Sequence, residues 1–288
     1  MLKNQIYNFI GCDASYDEAS VVIFGAPFDS TTSYRPGSRF APAAIRNESY
    51  GIETYSPYQE KDLEDYAVFD AGDIELPFGD TVAVLDMIKA QSTKILGDGK
   101  LPLLLGGEHL VTLGTLRAVV EKYPDLALIQ LDAHCDLRED YIGNPLSHAT
   151  VIRRSFEILK PNSIYQLGIR SGTKDEFAFA AENTYMQKFD LDGFEAVVQK
   201  LKDRPVYFTL DLDVLDSSVL PGTGTPEAGG IGFNELVGAI KQLSQLNIVG
   251  CDICELSPPY DSSGISTAVA CKVLRELLLS LCKNERKK

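Results

Sequence analysis

Along this chain, short runs that are apolar on both faces alternate with longer segments in which apolar residues recur at helical spacing. Ala19 to Pro27 (ASVVIFGAP) reads as a buried strand, and Tyr34 to Arg46 as a Gly/Pro loop entering a helix. Tyr66 to Ala71 reads as a strand, Thr81 to Leu96 as an amphipathic helix, Leu101 to Leu105 as a strand and Val111 to Lys122 as a helix. The pattern continues with a strand from Leu126, a helix from Thr150 to Leu159, a strand from Ser163 to Ile169 and a helix from Lys174 to Glu182. A short strand at Thr184 to Lys188, a helix reaching Leu201, a strand at Val206 to Leu212, a helix at Phe233 to Leu243, a strand at Asn247 to Cys254 and a helix at Ser266 to Cys282 complete it. Strands that take turns with helices predict an α/β fold. It should hold a mainly parallel sheet, helices on both faces and right-handed crossovers. No linker, repeat or low-complexity tract divides residues 1–288, so one domain is expected, with a frayed tail at Lys283 to Lys288.

The polar residues are placed unevenly on that pattern. Gly106-Gly107-Glu108-His109, Asp132 to Asp136, Asp211-Leu212-Asp213 and Asp252 to Glu255 all fall at carboxyl ends of predicted strands. That edge is where open parallel sheets bind ligands. The chain has three histidines, and His109, His134 and His148 lie at this rim or in the loop just beyond it. A lone histidine is more often structural than functional, but that reading does not explain why all three gather here.

Spacing limits how such a site is built. In extended chain Asp132 and Asp136 would stand roughly 13 Å apart, so the backbone must curl after His134. Asp211 and Asp213, roughly 6.6 Å apart on the same rule, can reach one metal or two neighbouring metals directly. Two imidazoles and four carboxylates make a mostly oxygen site, too hard for structural zinc. Shared between two metals about 3.5 to 4 Å apart, they require bridging carboxylates. Such a site suits manganese and leaves magnesium and zinc open.

Composition adds less. Hydrophobic residues at 44% and charged ones at 24% are ordinary for a globular protein. The formal charge of −14 argues against a nucleic-acid partner and is compatible with a cationic substrate. No apolar run approaches a membrane span of about eighteen residues and no leader pattern opens the chain, so a cytoplasmic location is the expectation. Six scattered cysteines do not form a disulfide framework. Cys251 and Cys254 read as buried thiols of a strand rather than half a zinc site, and alternation should turn Cys135 toward the core.

GGEH at Gly106 to His109, DAHCD at Asp132 to Asp136, and DLDVLD followed by PGTGTPEAGG from Asp211 to Gly230 occur together with RPGSRFAPAAIR and DICELSPPYD. In this order and spacing the chain resembles the ureohydrolases, the family of arginase, agmatinase and relatives, over nearly its whole length. The resemblance implies an arginase-like three-layer α/β/α fold around an eight-stranded sheet, and two Mn(2+) ions per subunit. It implies that His109, Asp132, Asp136 and Asp211 bind one ion and His134, Asp132, Asp211 and Asp213 the other. A hydroxide held between the ions would attack a guanidinium carbon, releasing urea and an amine, with Asp136 orienting it. The resemblance further implies that His148 shuttles the proton the leaving amine needs, that Glu255 pairs with the substrate guanidinium and that Thr225 helps hold Glu255.

Some positions depart from the usual family pattern. Ala149 replaces a Gly, Glu108 an Asp, Ala228 a Pro and Ala41 a Gly, which bears on loop shape and substrate preference. The SHAT and PGTGTPE stretches look more like agmatinases than arginases, so the expected reaction is agmatine to putrescine and urea. Guanidinobutyrate, guanidinopropionate, aminopropyl-agmatine, arginine and formiminoglutamate are the alternatives. A zinc deacetylase would want neighbouring histidines, which are absent, and a metal-binding scaffold that had lost catalysis would predict a broken ligand set. Homo-oligomers are usual in the family, although no interface is legible here. Tyr34 to Pro42 is placed at the pocket mouth or between subunits.

Overall fold

The computed structural model describes residues 7–283 and 285–286. Its main sheet contains β1 (Val21–Ala26), β4 (Val68–Asp73), β5 (Leu101–Gly106), β6 (Ala127–Leu131), β7 (Ile164–Ile169), β8 (Tyr185–Lys188), β9 (Pro205–Asp211) and β10 (Asn247–Cys254). The hairpin of β2 (Tyr55–Ser56) and β3 (Lys61–Asp62) stands apart as a second, antiparallel sheet. The eight strands lie in the order β4-β1-β5-β10-β9-β6-β7-β8, and every neighbouring pair is parallel.

The helices are α1 (Ala41–Glu48), α2 (Thr81–Gly97), α3 (Thr112–Lys122), α4 (Val151–Ile158), α5 (Lys174–Asn183), α6 (Phe194–Leu201), α7 (Phe233–Gln242) and α8 (Ile265–Leu281). Strand alternation sorts the core into two layers. Val21 and Ile23 of β1 and Leu103 and Leu105 of β5 pack with α1, α6, α7 and α8. Val22, Phe24 and Leu104 pack on the other face with α2, α3, α4 and α5. Burial on both faces is why these strands read as continuous apolar runs.

The expected α/β/α architecture and its order of elements are therefore present. The β2–β3 hairpin was not foreseen, because a two-residue strand carries no period to read. The expected fraying of the tail is corrected at two positions. Glu285 forms a bridge with Tyr66 and the Arg286 N–H donates to Asp65 O at 2.6 Å, while residues 284, 287 and 288 lie outside the described residues. Among the described residues no helix is long and apolar enough to cross a membrane.

Sheet order positions the site. β5, β10, β9 and β6 are consecutive in the centre of the sheet, and they are the strands whose carboxyl ends carry the four polar segments. Segments spread over some 150 residues of sequence thus become neighbours at the strand spacing of about 4.8 Å.

Candidate metal centre and substrate pocket

The curl required after His134 is made at Asp136, whose φ of 53° lies in the left-handed region. A non-glycine residue held there is strained, and such strain gathers at functional sites. The segment is fixed from outside: Cys135 N–H donates to Ser171 O at 2.9 Å, and Asp136 O accepts from the N–H groups of Ile152 and Arg153 at 3.1 Å each. Asp132 and Asp136 thereby reach one imidazole, with His109 Nδ1 3.0 Å from Asp132 Oδ2 and 2.9 Å from Asp136 Oδ2. Asp211 Oδ2 lies 3.6 Å from the same nitrogen.

A second cluster adjoins the first. His134 Nδ1 is 3.0 Å from Asp213 Oδ2 and 3.6 Å from Asp132 Oδ1. Two sets of side chains have donor atoms close enough to hold a cation: His109, Asp132 and Asp211, and Asp132, His134 and Asp213. Asp132 is common to both, as a bridging ligand must be. Asp136 and Asp211 stand at the His109 cluster; the structure brings neither into the compact His134 set.

The chemistry of these donors fits a pair of cations. Asp213 Oδ2 is buried and makes no hydrogen bond of good geometry, only the 3.0 Å approach to His134 Nδ1. His109 Nε2 faces Thr209 Oγ1 at 2.8 Å, and that hydroxyl donates to Asp252 Oδ1 at 2.6 Å. Its proton committed, Thr209 accepts from His109 Nε2–H, so Nδ1 is the nitrogen turned to the carboxylates, where it carries a proton or, with that proton displaced, presents its lone pair to a cation. Asp252 is held in turn by Tyr207 Oη at 2.6 Å.

Electrostatics point the same way. Burial, with Asp132 adding to it, pushes Asp136 up to about 7. Burial also drives Asp211 far above the usual carboxylate range, with Asp213 and Asp132 adding to the effect. Burial opposes the charges of His109 and His134, yet the neighbouring carboxylates raise both. Asp132 is lowered, because the two imidazoles beside it, through contact and charge, outweigh its burial. The site thus holds protons to offset a surplus of negative charge, and cations would replace them.

Glu255 sits at the end of β10 with φ 66°, also left-handed. Its Oε1 accepts the backbone N–H of His109 at 2.7 Å, and burial raises its carboxyl to about 8. Gly107 lets the end of β5 pack against the segment after β1, since a Cβ there would stand 2.0 Å from Phe28 O, and its own carbonyl accepts from Glu255 N–H at 2.9 Å. A cavity of about 570 Å³ opens over the cluster, and its walls include Glu255, Thr225, His148, Arg138 and Tyr34. Thr225 lines the same cavity but, among the described residues, no hydrogen bond joins it to Glu255, whose carboxylate accepts from His109 N–H. His148 heads a 3-10 turn (His148–Thr150), with burial lowering it to about 4.

Ser33, Tyr34 and Arg35 line the cavity, which gives the Tyr34 to Pro42 loop its place at the mouth. Ala149 is not among the positive-φ residues, so the glycine usual there is not needed. Cys135 is fully buried in the core layer, its Sγ against Gly172. Cys251 and Cys254 are buried free thiols of β10, outside both ligand sets. Sequence reading missed Arg170, whose guanidinium donates to the carbonyls of Asp213, Val214, Leu215 and Glu227 and so ties two site loops to β7. It also missed Gln130 and Gln166, linked at 2.7 Å, of which Gln130 donates to Asp132 Oδ2 at 2.6 Å. Amides inside apolar strands were the available signal.

The chain belongs to the arginase family, whose model matches residues 19–280. It is 51% identical to the agmatinase of Bacillus anthracis over 279 residues, 96% of each chain. A Clostridium difficile protein of solved structure superposes with a TM-score of 0.91 at 52% identity, covering 93% of this chain and 99% of that one. The agmatine ureohydrolase of Thermoplasma volcanium superposes with a TM-score of 0.88 at 34% identity, covering 96% of this chain and 94% of that one.

Proposed function

We propose that this chain hydrolyses agmatine to putrescine and urea, with two manganese ions per subunit as its resident cofactors. The observation that carries the reading is the pair of ligand clusters sharing Asp132 on the floor of a cavity that also presents Glu255 and His148. His109, Asp132, Asp136 and Asp211 would hold one ion, and His134, Asp132, Asp211 and Asp213 the other. A mostly oxygen donor set favours manganese over zinc. When bound, such a pair supplies Lewis-acid charge and lowers the pKa of water toward neutrality.

The remaining work falls to side chains of this chain. Glu255, anchored by His109 N–H, pairs with the planar guanidinium. Asp136 accepts a hydrogen bond from the attacking water and aims it at the guanidinium carbon. His148 takes up on its ring the proton that the attacking water gives up and delivers it to the amine nitrogen as the bond from carbon to that nitrogen breaks, since an amide anion is a very poor leaving group. Thr225 bounds the cavity beside Glu255. Glu176 and Glu227 add carboxylates to the wall, which suits a substrate with a second cation at its far end. The activities for which the Bacillus anthracis and Thermoplasma volcanium relatives are named support agmatine over the other guanidino compounds.

On this reading residues 1–288 are one catalytic domain, which the single large sheet supports, and the enzyme is a cytoplasmic homo-oligomer. Six buried free thiols accord with a reducing compartment. The test is urea release from a panel of guanidino compounds by manganese-loaded protein, where agmatine should give the highest kcat/KM. No urea from any compound refutes the reaction class, and preference for arginine refutes the substrate.

A further inference from the structure

Glu108 lies next to a proposed ligand, yet its carboxylate is turned toward the loop after β1. It is fully buried, and it accepts from Thr31 N–H at 2.8 Å, Thr31 Oγ1 at 2.7 Å and Thr32 Oγ1 at 3.4 Å. Thr31 Oγ1 is also the acceptor for the backbone N–H of His148 at 3.0 Å and stands 3.5 Å from that residue's ring Nδ1. The threonine therefore separates a buried acid from the cavity histidine.

A hydroxyl has one proton, and here it is given to Glu108. Toward His148 the Thr31 oxygen can offer only lone pairs, which favours a proton on the facing nitrogen, Nδ1. The ring's lone pair then sits on Nε2, which is 3.4 Å from Ser33 Oγ on the wall of the cavity. The Tyr141 ring, edge-on at 5.7 Å and 89°, limits rotation of the imidazole. We propose that Glu108, acting through Thr31, is a positioning residue that holds His148 as its Nδ1–H tautomer with the Nε2 lone pair toward the cavity, where it takes up the proton it then passes on. This rests on the proton-carrying role given to His148 above.

Histidine-selective 15N NMR of the magnesium-loaded protein, kept diamagnetic, reads the tautomer directly. The chain has only three histidines, and His148→Asn identifies the signal by its loss. Wild type should show the Nδ1–H pattern for His148. Thr31→Val should shift it toward the Nε2–H form, Thr31→Ser should restore it, and Glu108→Gln, which can accept only one of the two Thr31 donors, should fall between. A His148 signal unchanged in Thr31→Val and Glu108→Gln overturns the proposal. In urea assays Thr31→Val should lose about tenfold or more in kcat with KM within about twofold, Thr31→Ser recovering most of the loss and metal content unchanged. A Thr31→Ser variant as slow as Thr31→Val, or loss of metal from either, makes the threonine merely structural and overturns the proposal. If wild type releases no urea from any guanidino compound, the functional reading fails, and the ring spectrum still decides the tautomer.

Discussion

Two regions of this molecule bury charge, and they do so to opposite ends. On α8, Arg275 and Glu276 are almost wholly enclosed, and Arg275 donates to Glu276 Oε1 at 2.7 Å and to the carbonyls of Glu53 and Tyr55 at 2.9 and 3.0 Å. Glu276 Oε2 accepts from Ser56 Oγ at 2.7 Å and Gln59 Nε2 at 2.9 Å. One cation meets one anion, and the donors around them tie the β2–β3 hairpin to α8. At the ligand clusters four aspartates face two imidazoles, Asp213 Oδ2 has only the His134 ring beside it, and Asp136 stands in a strained backbone conformation. The first region is balanced by the chain itself, whereas the second carries a surplus of negative charge that suits a bound cation.

That contrast breaks most visibly at the ligands. Asp211→Asn or His134→Ala should lower urea formation by at least about a thousandfold and reduce bound manganese, because the removed donor belongs to the proposed ion pair. Metal analysis beside the urea assay checks it, and full activity in either variant would remove those residues from the centre. His148→Ala should slow turnover by about a hundredfold or more with the metal retained; loss of manganese from that variant would reassign the histidine.

Next in size is the balanced region. Glu276→Ala leaves Arg275 buried without its anion and should cost about 3 to 5 kcal/mol of stability. Denaturant unfolding measures it, while the metal content of the folded fraction should not change. A loss under 1 kcal/mol would mean that water or the hairpin carbonyls satisfy the guanidinium, and the two regions would then differ less than their geometry says.

The ligand clusters should respond to manganese. Manganese at about a hundred times its Kd should add about 2.7 kcal/mol to stability, seen as a rise in Tm. That gain should shrink as pH falls. Asp136, pushed up to about 7 by burial and by Asp132, carries its proton below that pH, and a cation must displace the proton to bind. Each proton displaced makes affinity fall about tenfold per pH unit on the acid side. A metal-induced Tm shift equal at pH 6 and pH 8 would contradict the coupling.

The same contrast explains what could be read from the sequence. Unbalanced polar residues at strand ends, such as Asp132, His134 and Asp213, interrupt apolar runs and advertise themselves. Arg275 and Glu276 sit adjacent inside a helical period, where an ordinary solvated pair would look the same. Their burial is set by Ser56 and Gln59, some 220 residues away in sequence. Arg170 was hidden for a related reason: it binds backbone carbonyls, which have no signature in the side-chain pattern. The curl at Asp136 was required by distance alone, although its left-handed φ depends on Ser171 and α4 holding the segment.

The smallest effect concerns His148, which lies between the two regimes: half-buried, close to the clusters and in neither. Burial, assisted by the nearby His134, His109 and Arg138, lowers it to about 4, against an ordinary value of 6.5. Between those values the unfolded chain binds a proton at this position and the folded chain does not, so the contribution of His148 to stability is lost as pH falls from 6.5 toward 4. His148→Asn removes the titration. The Tm of the variant should therefore gain on that of wild type as pH is lowered from 7 to 5, all other groups being common to both. A difference that stays constant across that range would mean the imidazole titrates as it does in water, and the cavity wall at Thr31 and Tyr141 would then be open to solvent.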